Sequence, residues 1–149
     1  MKGNKFTPVK YGAVITEAHT PIEQRLKILY NGLMEVIAET EPDCAAVEEL
    51  FFNTNVTTAI KVGEARGVAL LACANSGLPI YEYTPMEIKQ GLTGYGKAEK
   101  KQVQVMVKAI LGLGEIPKPD DTADALACAI CCGHSAGPAS RYRELLEKR

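Results

Sequence analysis

At 149 residues and 46% hydrophobic content, the chain has the length of a single domain and enough apolar residues for a sizeable core. No apolar run approaches the roughly 20 residues of a membrane helix, and the N-terminus Met1-Lys2-Gly3-Asn4-Lys5-Phe6 lacks the apolar core of a signal peptide. A net charge of −1 excludes a global nucleic-acid footprint, and five cysteines without framework spacing point to reduced thiols in the cytoplasm, with no membrane partner.

Phe6 to Glu17 is rich in β-branched and aromatic residues and reads as a strand. Thr20-Pro21-Ile22-Glu23 combines a capping box with Pro at the first helical position. Leu26, Leu29, Leu33, Val36 and Ile37 follow at helical spacing, a helix that buries one stripe and exposes its acids. Cys44-Ala45-Ala46-Val47 has the length and apolarity of a buried parallel strand and runs into Glu48. A carboxylate at the C-terminal end of such a strand lies where α/β sheets place their ligands. Phe51-Phe52 and Asn53-Thr54-Asn55 read as a loop whose aromatics could stack on bases or belong to the core.

Val56 to Asn75 reads as a helix in which Gly63 and Gly67, four apart, permit close approach of another backbone, within the chain or in a dimer. Leu78 to Tyr83 is a second parallel strand, and Thr84-Pro85-Met86-Glu87 repeats the capping box. Gly91 to Gly96 reads as a glycine-rich loop that lacks the Gly-Lys-Ser/Thr of a nucleotide-binding loop. Lys97 to Leu111 is amphipathic, with Val103, Val107 and Ile110 inward and Lys100, Lys101 and Lys108 available to solvent or phosphate. The alternation of strand and helix argues for an α/β architecture.

Charge is uneven along the chain. Residues 17–49 carry eight acids against Arg25 and Lys27, a balance of −6, whereas residues 86–108 carry five lysines against Glu87 and Glu99, a balance of +3. Beyond the basic segment comes Pro119-Asp120-Asp121-Thr122-Ala123-Asp124-Ala125-Leu126-Ala127. On a helix beginning near Asp120, the carboxylates of Asp121 and Asp124 share a face within reach of one cation. Hard oxygens at this spacing favour magnesium or manganese over zinc. The alternative is an acidic first turn in which Asp120 caps the helix and its neighbours favour the dipole. Cys128, Cys131, Cys132 and His134 invite a zinc reading, but they lie in an Ala-rich helical pattern with no second CxxC, as small core residues do.

The order of these elements resembles the RuvC family of Holliday junction resolvases, with their ribonuclease H-like fold. The segments that carry the resemblance are Val47-Glu48-Glu49-Leu50-Phe51-Phe52, Glu64-Ala65-Arg66-Gly67-Val68, Tyr83-Thr84-Pro85 followed by Ile88-Lys89-Gln90, Gly94-Tyr95-Gly96 with Ala98-Glu99-Lys100, and Pro119 to Ala127. They span essentially residues 5–134, in a single resolvase domain of mixed sheet flanked by helices.

The resemblance implies a metal-dependent endodeoxyribonuclease of DNA recombination and repair, in which Glu48, Asp121 and Asp124 are catalytic metal ligands. Lys89 and Lys100 would contact DNA near the cut, and Phe51 would stack at the junction. Two Mg2+ per site, with Mn2+ as a substitute, would activate water and stabilise the leaving 3′-oxygen. A homodimer would nick opposed strands of a four-way junction symmetrically, in cooperation with a branch-migration motor.

Family members open with a strand running into Asp-Pro-Gly and then a second strand, and the Asp is a fourth catalytic carboxylate. This chain opens on what resembles the turn before the third strand. The resemblance therefore implies an N-terminally truncated reading of a resolvase gene, poorly stable alone because the centre of the sheet is absent, with cleavage reduced. The alternative function is a junction-binding or dimerising fragment that does not cut.

Overall fold

The computed structural model describes residues 5–49 and 56–135. Among them are α1 (Ile22–Thr40), β1 (Ala45–Glu48), α2 (Val56–Asn75), β2 (Ile80–Tyr83), α3 (Pro85–Thr93), α4 (Lys100–Leu111) and α5 (Asp120–His134). No helix among the described residues is long and apolar enough to cross a membrane.

Among the described residues the strands β1 and β2 form a two-stranded sheet. The amide of Ala45 donates to the Pro79 carbonyl at 2.9 Å and that of Glu49 to the Tyr83 carbonyl at 2.8 Å. Both donors advance along the chain as their acceptors do, so the strands are parallel. The second bond carries the ladder one residue past Glu48 and fixes the backbone that presents its side chain.

The described residues fall into two compact units, one drawn from residues 5–13, 46–49 and 81–135 and the other from residues 14–45 and 56–80. Nearly all the buried hydrophobic residues belong to the first unit, where α3, α4 and α5 pack on one another. Ile88 and Leu92 of α3, Val103 and Val107 of α4, and Ala123, Ala127, Cys128 and Ile130 of α5 form this core. The small side chains of α5 let its neighbours approach closely. A Cβ on Gly91 would stand 3.0 Å from the Cys131 sulfur, and the Cys131 thiol donates to the Glu87 carbonyl at 3.5 Å. The capping box expected at α3 is present: Thr84 Oγ1 accepts from the Glu87 amide at 3.1 Å, and the Glu87 carboxylate accepts from the Thr84 amide at 2.7 Å. Gly91 falls inside α3, so the loop read from the sequence begins three residues later, at Gly94, whose φ of 71° closes the helix in the left-handed conformation glycine tolerates.

In the second unit α1 packs on α2. The stripe Leu26, Leu29, Leu33 and Ile37 is half-buried, Val36 is exposed, and no residue of α1 is fully buried. The helix begins at Ile22, with Pro21 at the cap position and no side-chain capping bond, so the box read at Thr20 does not form. The Tyr30 hydroxyl accepts from the Asn75 amide at 3.0 Å.

The strand expected over Phe6–Glu17 is absent. Lys5 makes an isolated bridge and residues 6–17 join no ladder. Val9 and Ile15 are 86% and 80% exposed. Strand propensity needs a neighbour to accept its backbone hydrogen bonds, and without one a β-rich segment stays irregular. Phe6 instead packs its ring against Gly133 and meets His134 edge-on, with centroids 4.9 Å apart.

Candidate active site

Every described residue of the expected site lies in the first unit. Glu48 ends β1, Lys89 is half-buried on α3, Lys100 opens α4, and Asp120, Asp121 and Asp124 occupy the first turns of α5. Glu99 precedes Lys100 as the N-cap of α4 in a capping box with Gln102. Pro119 caps α5 without a side-chain bond. Asp120 is therefore not the helix cap, and its carboxylate turns to lysine instead.

Lys100 joins the elements. Its Nζ stands 3.2 Å from Asp124 Oδ2 and 3.7 Å from Asp120 Oδ2. The hydrogen bond to Asp124 raises the Lys100 pKa, so the ammonium keeps its proton. Asp120 also meets Lys118, whose Nζ is 3.4 Å from Oδ1, and that hydrogen bond, with the charge behind it, lowers the Asp120 pKa.

Glu48 is shifted the other way. Burial raises its pKa first, and the negative charge of Asp124 adds to the effect. Lys100 and Lys89 lower it, and Asp121 raises it again. This ordering places the strand carboxylate, the two helix carboxylates and both lysines in one electrostatic neighbourhood.

Among the described residues no three His, Cys, Asp or Glu side chains converge closely enough to hold one metal ion. The trio Glu48, Asp121 and Asp124 is thus an electrostatic cluster rather than a preformed cage. It still suits a hard divalent cation. Magnesium is commonly held through one or two carboxylates, with waters and substrate phosphates completing its shell. The Lys100 ammonium already stands as a cation among these oxygens, and the raised pKa of Glu48 means that further positive charge there would be favourable.

The cysteines behave as core. Cys128, Cys131 and Cys132 are buried, and burial pushes the Cys128 thiol up to about 12, far from a thiolate ligand. His134 Nδ1 lies 3.2 Å from the Gly91 carbonyl. Phe51 falls outside the described residues. The salt-bridging roles of Asp120 and Lys118 were missed in the sequence. The signal available was their flanking of Pro119 beside the carboxylate pair.

The sequence profile of the family described as crossover junction endodeoxyribonuclease RuvC matches residues 1–132. The crossover junction endodeoxyribonuclease RuvC of Desulfitobacterium hafniense is 59% identical over 140 residues, which cover 94% of this chain and 85% of the relative. That of Desulforamulus reducens is 61% identical over 129 residues, covering 87% and 79%. The solved structure of Thermus thermophilus RuvC superposes with a TM-score of 0.79 at 37% identity, covering 89% of this chain and 78% of that one. The T. thermophilus protein in complex with Holliday junction substrate gives 0.80 at 36% identity, covering 89% and 80%.

Proposed function

The chain belongs to the RuvC family of crossover junction endodeoxyribonucleases, with its ribonuclease H-like fold, and from that premise we infer how its residues resolve four-way DNA junctions. The observation that carries the reading is the shared electrostatic neighbourhood of Glu48, at a strand end, and Asp121 and Asp124, at a helix start, with the Lys100 ammonium 3.2 Å from Asp124.

The family's nucleases depend on metal. In this chain Glu48, Asp121 and Asp124 would hold the ions, which we take to be two Mg2+ per site. When bound, these ions supply an activated water and stabilise the leaving 3′-oxygen, consistent with 5′-phosphate and 3′-hydroxyl products. Lys100 and Lys89 bring positive charge to the phosphate beside the carboxylates and hold the backbone in register. Phosphate contacts of this kind carry no sequence information, so the shape of the junction supplies selectivity. Phe51, between Glu48 and α2 in the sequence, would stack on a base at the crossover.

A homodimer would present two sites on opposed strands. The open space beside Gly63 and Gly67 in the second unit supports α2 as the contact. A branch-migration motor is the further partner we expect, and the cytoplasm the location.

The test is Mg2+-dependent nicking of an end-labelled four-way junction, with Asp124→Asn as control and linear duplex as competitor. Paired nicks that disappear in the control support the reading. A gel-shifted junction left intact by the unsubstituted chain would replace it with junction binding alone.

A further inference from the structure

Asp120 lies outside the proposed metal-binding trio, yet both of its carboxylate oxygens face lysine. One oxygen, Oδ2, faces the Lys100 ammonium at 3.7 Å, and the other, Oδ1, faces Lys118 at 3.4 Å. Asp120 caps nothing, so these partners orient it. Because Asp120 and Asp124 are four apart on α5, their carboxylates share a face, and Lys100 lies between them.

We propose that Asp120 is a positioning residue for Lys100: it shares the ammonium with Asp124 while no divalent cation is bound and retains it at the site when Asp124 turns to the cation. The inference rests on the reading that Asp124 is a metal ligand. A divalent cation on Asp124 repels the ammonium now 3.2 Å away, and a long lysine stem readily carries a displaced head into solvent. Asp120 offers a second acceptor without requiring the stem to leave the site. It follows that Asp120 eases cation binding in two ways. Its negative charge acts directly, as any nearby acid would. It also offsets the cost of separating Lys100 from Asp124, an effect that exists only while the lysine is present. Lys118 holds the far oxygen and leaves Oδ2 for this purpose.

The two contributions separate in a double-mutant cycle read by metal affinity. Mn2+ is titrated into the full chain without DNA, and free Mn2+ is followed by electron paramagnetic resonance. The proteins are the unsubstituted chain, Asp120→Asn, Lys100→Gln, the double variant and Asp124→Asn. Asp120 is 49% exposed, so its substitution leaves the core intact. The expected result is a loss of about tenfold in affinity for Asp120→Asn with Lys100 present, and of about threefold or less with Lys100→Gln, a coupling typical of residues in direct contact. Equal losses in both backgrounds, or no loss in either, would overturn the positioning role and leave the metal site standing. Unchanged affinity in Asp124→Asn would instead remove the premise, and the proposal with it.

Discussion

Replacing Lys100 with Gln separates the structural weight of the ammonium from its work on DNA. Its side chain is 53% exposed, and those of Asp124 and Asp120 are 36% and 49% exposed. Exposed ion pairs contribute about 0.2–1 kcal/mol each, and one ammonium shared between two acids does not count twice. The expected cost is therefore about 1 kcal/mol or less, a fall in Tm of about 2–4 °C for a chain of this size. The hydrogen bond to Asp124 keeps the lysine charged, so it meets a phosphate as a full cation throughout neutral pH. Each phosphate neutralised on B-form DNA adds about 0.9 to the slope of log affinity against log salt. The variant should thus lose about one unit of that slope in junction binding measured in EDTA, where neither cutting nor metal competition intervenes. An unchanged slope would refute the phosphate contact. A stability loss of more than about 3 kcal/mol in urea would refute the treatment of Lys100 as a solvent-screened surface charge.

Three further outcomes follow from the same residues. Glu48 has a folded pKa raised by burial, so its contribution to stability is complete below the ordinary carboxyl range and is lost as pH rises through the raised value. Glu48→Gln in EDTA should match the unsubstituted chain near about pH 4 and melt higher near about pH 7, and melting curves that stay parallel with pH would contradict this. Thr122 Oγ1 is buried without a hydrogen-bond partner among the described residues, so Thr122→Val, nearly isosteric, should gain about 1 kcal/mol in urea unfolding; a loss would mean that the hydroxyl is satisfied. Val107 is fully buried on α4, and Val107→Ala removes two methyl groups, worth about 1.6 kcal/mol of transfer and about 2–3 kcal/mol with the cavity left behind. Chemical denaturation checks the value, and a cost below about 1 kcal/mol would mean that α4 closes the gap by shifting.

Legibility in the sequence tracked how local the determining physics was. The box at Thr84 was readable because Thr, Pro and Glu meet within one turn, whereas the same pattern at Thr20 failed without changing the helix that follows it. The position of Glu48 at a strand end was readable from a four-residue apolar run ending in an acid, and that of Asp121 and Asp124 at a helix start from helical spacing. Phe6–Glu17 was misread because propensity concerns the residue and a strand depends on its neighbour. The roles of Asp120 and Lys118 were invisible for a related reason. An acid at a helix start suggests a cap or a dipole partner, and only the approach of α4 reveals that a lysine from another helix claims it.

That approach explains why the carboxylates are not equivalent. Glu48 is half-buried at a strand end, where burial first and then the charge of Asp124 raise its pKa. Asp120 stands in solvent at the positive end of α5 with an amine on either oxygen, so ionisation costs it little. When environments push two carboxyl groups apart in this way, added positive charge acts mainly on the one held up. On the proposed metal reading, a cation would relieve the raised pKa of Glu48, while the charge on Asp120 is already matched by lysine. On the same reading, the strand would supply the carboxylate raised by burial, and α5 the acids that stand beside Lys100. Because β1 and α5 are far apart in sequence and α5 is held by its packing on α3 and α4, the proposed site would depend on core residues that lie outside it.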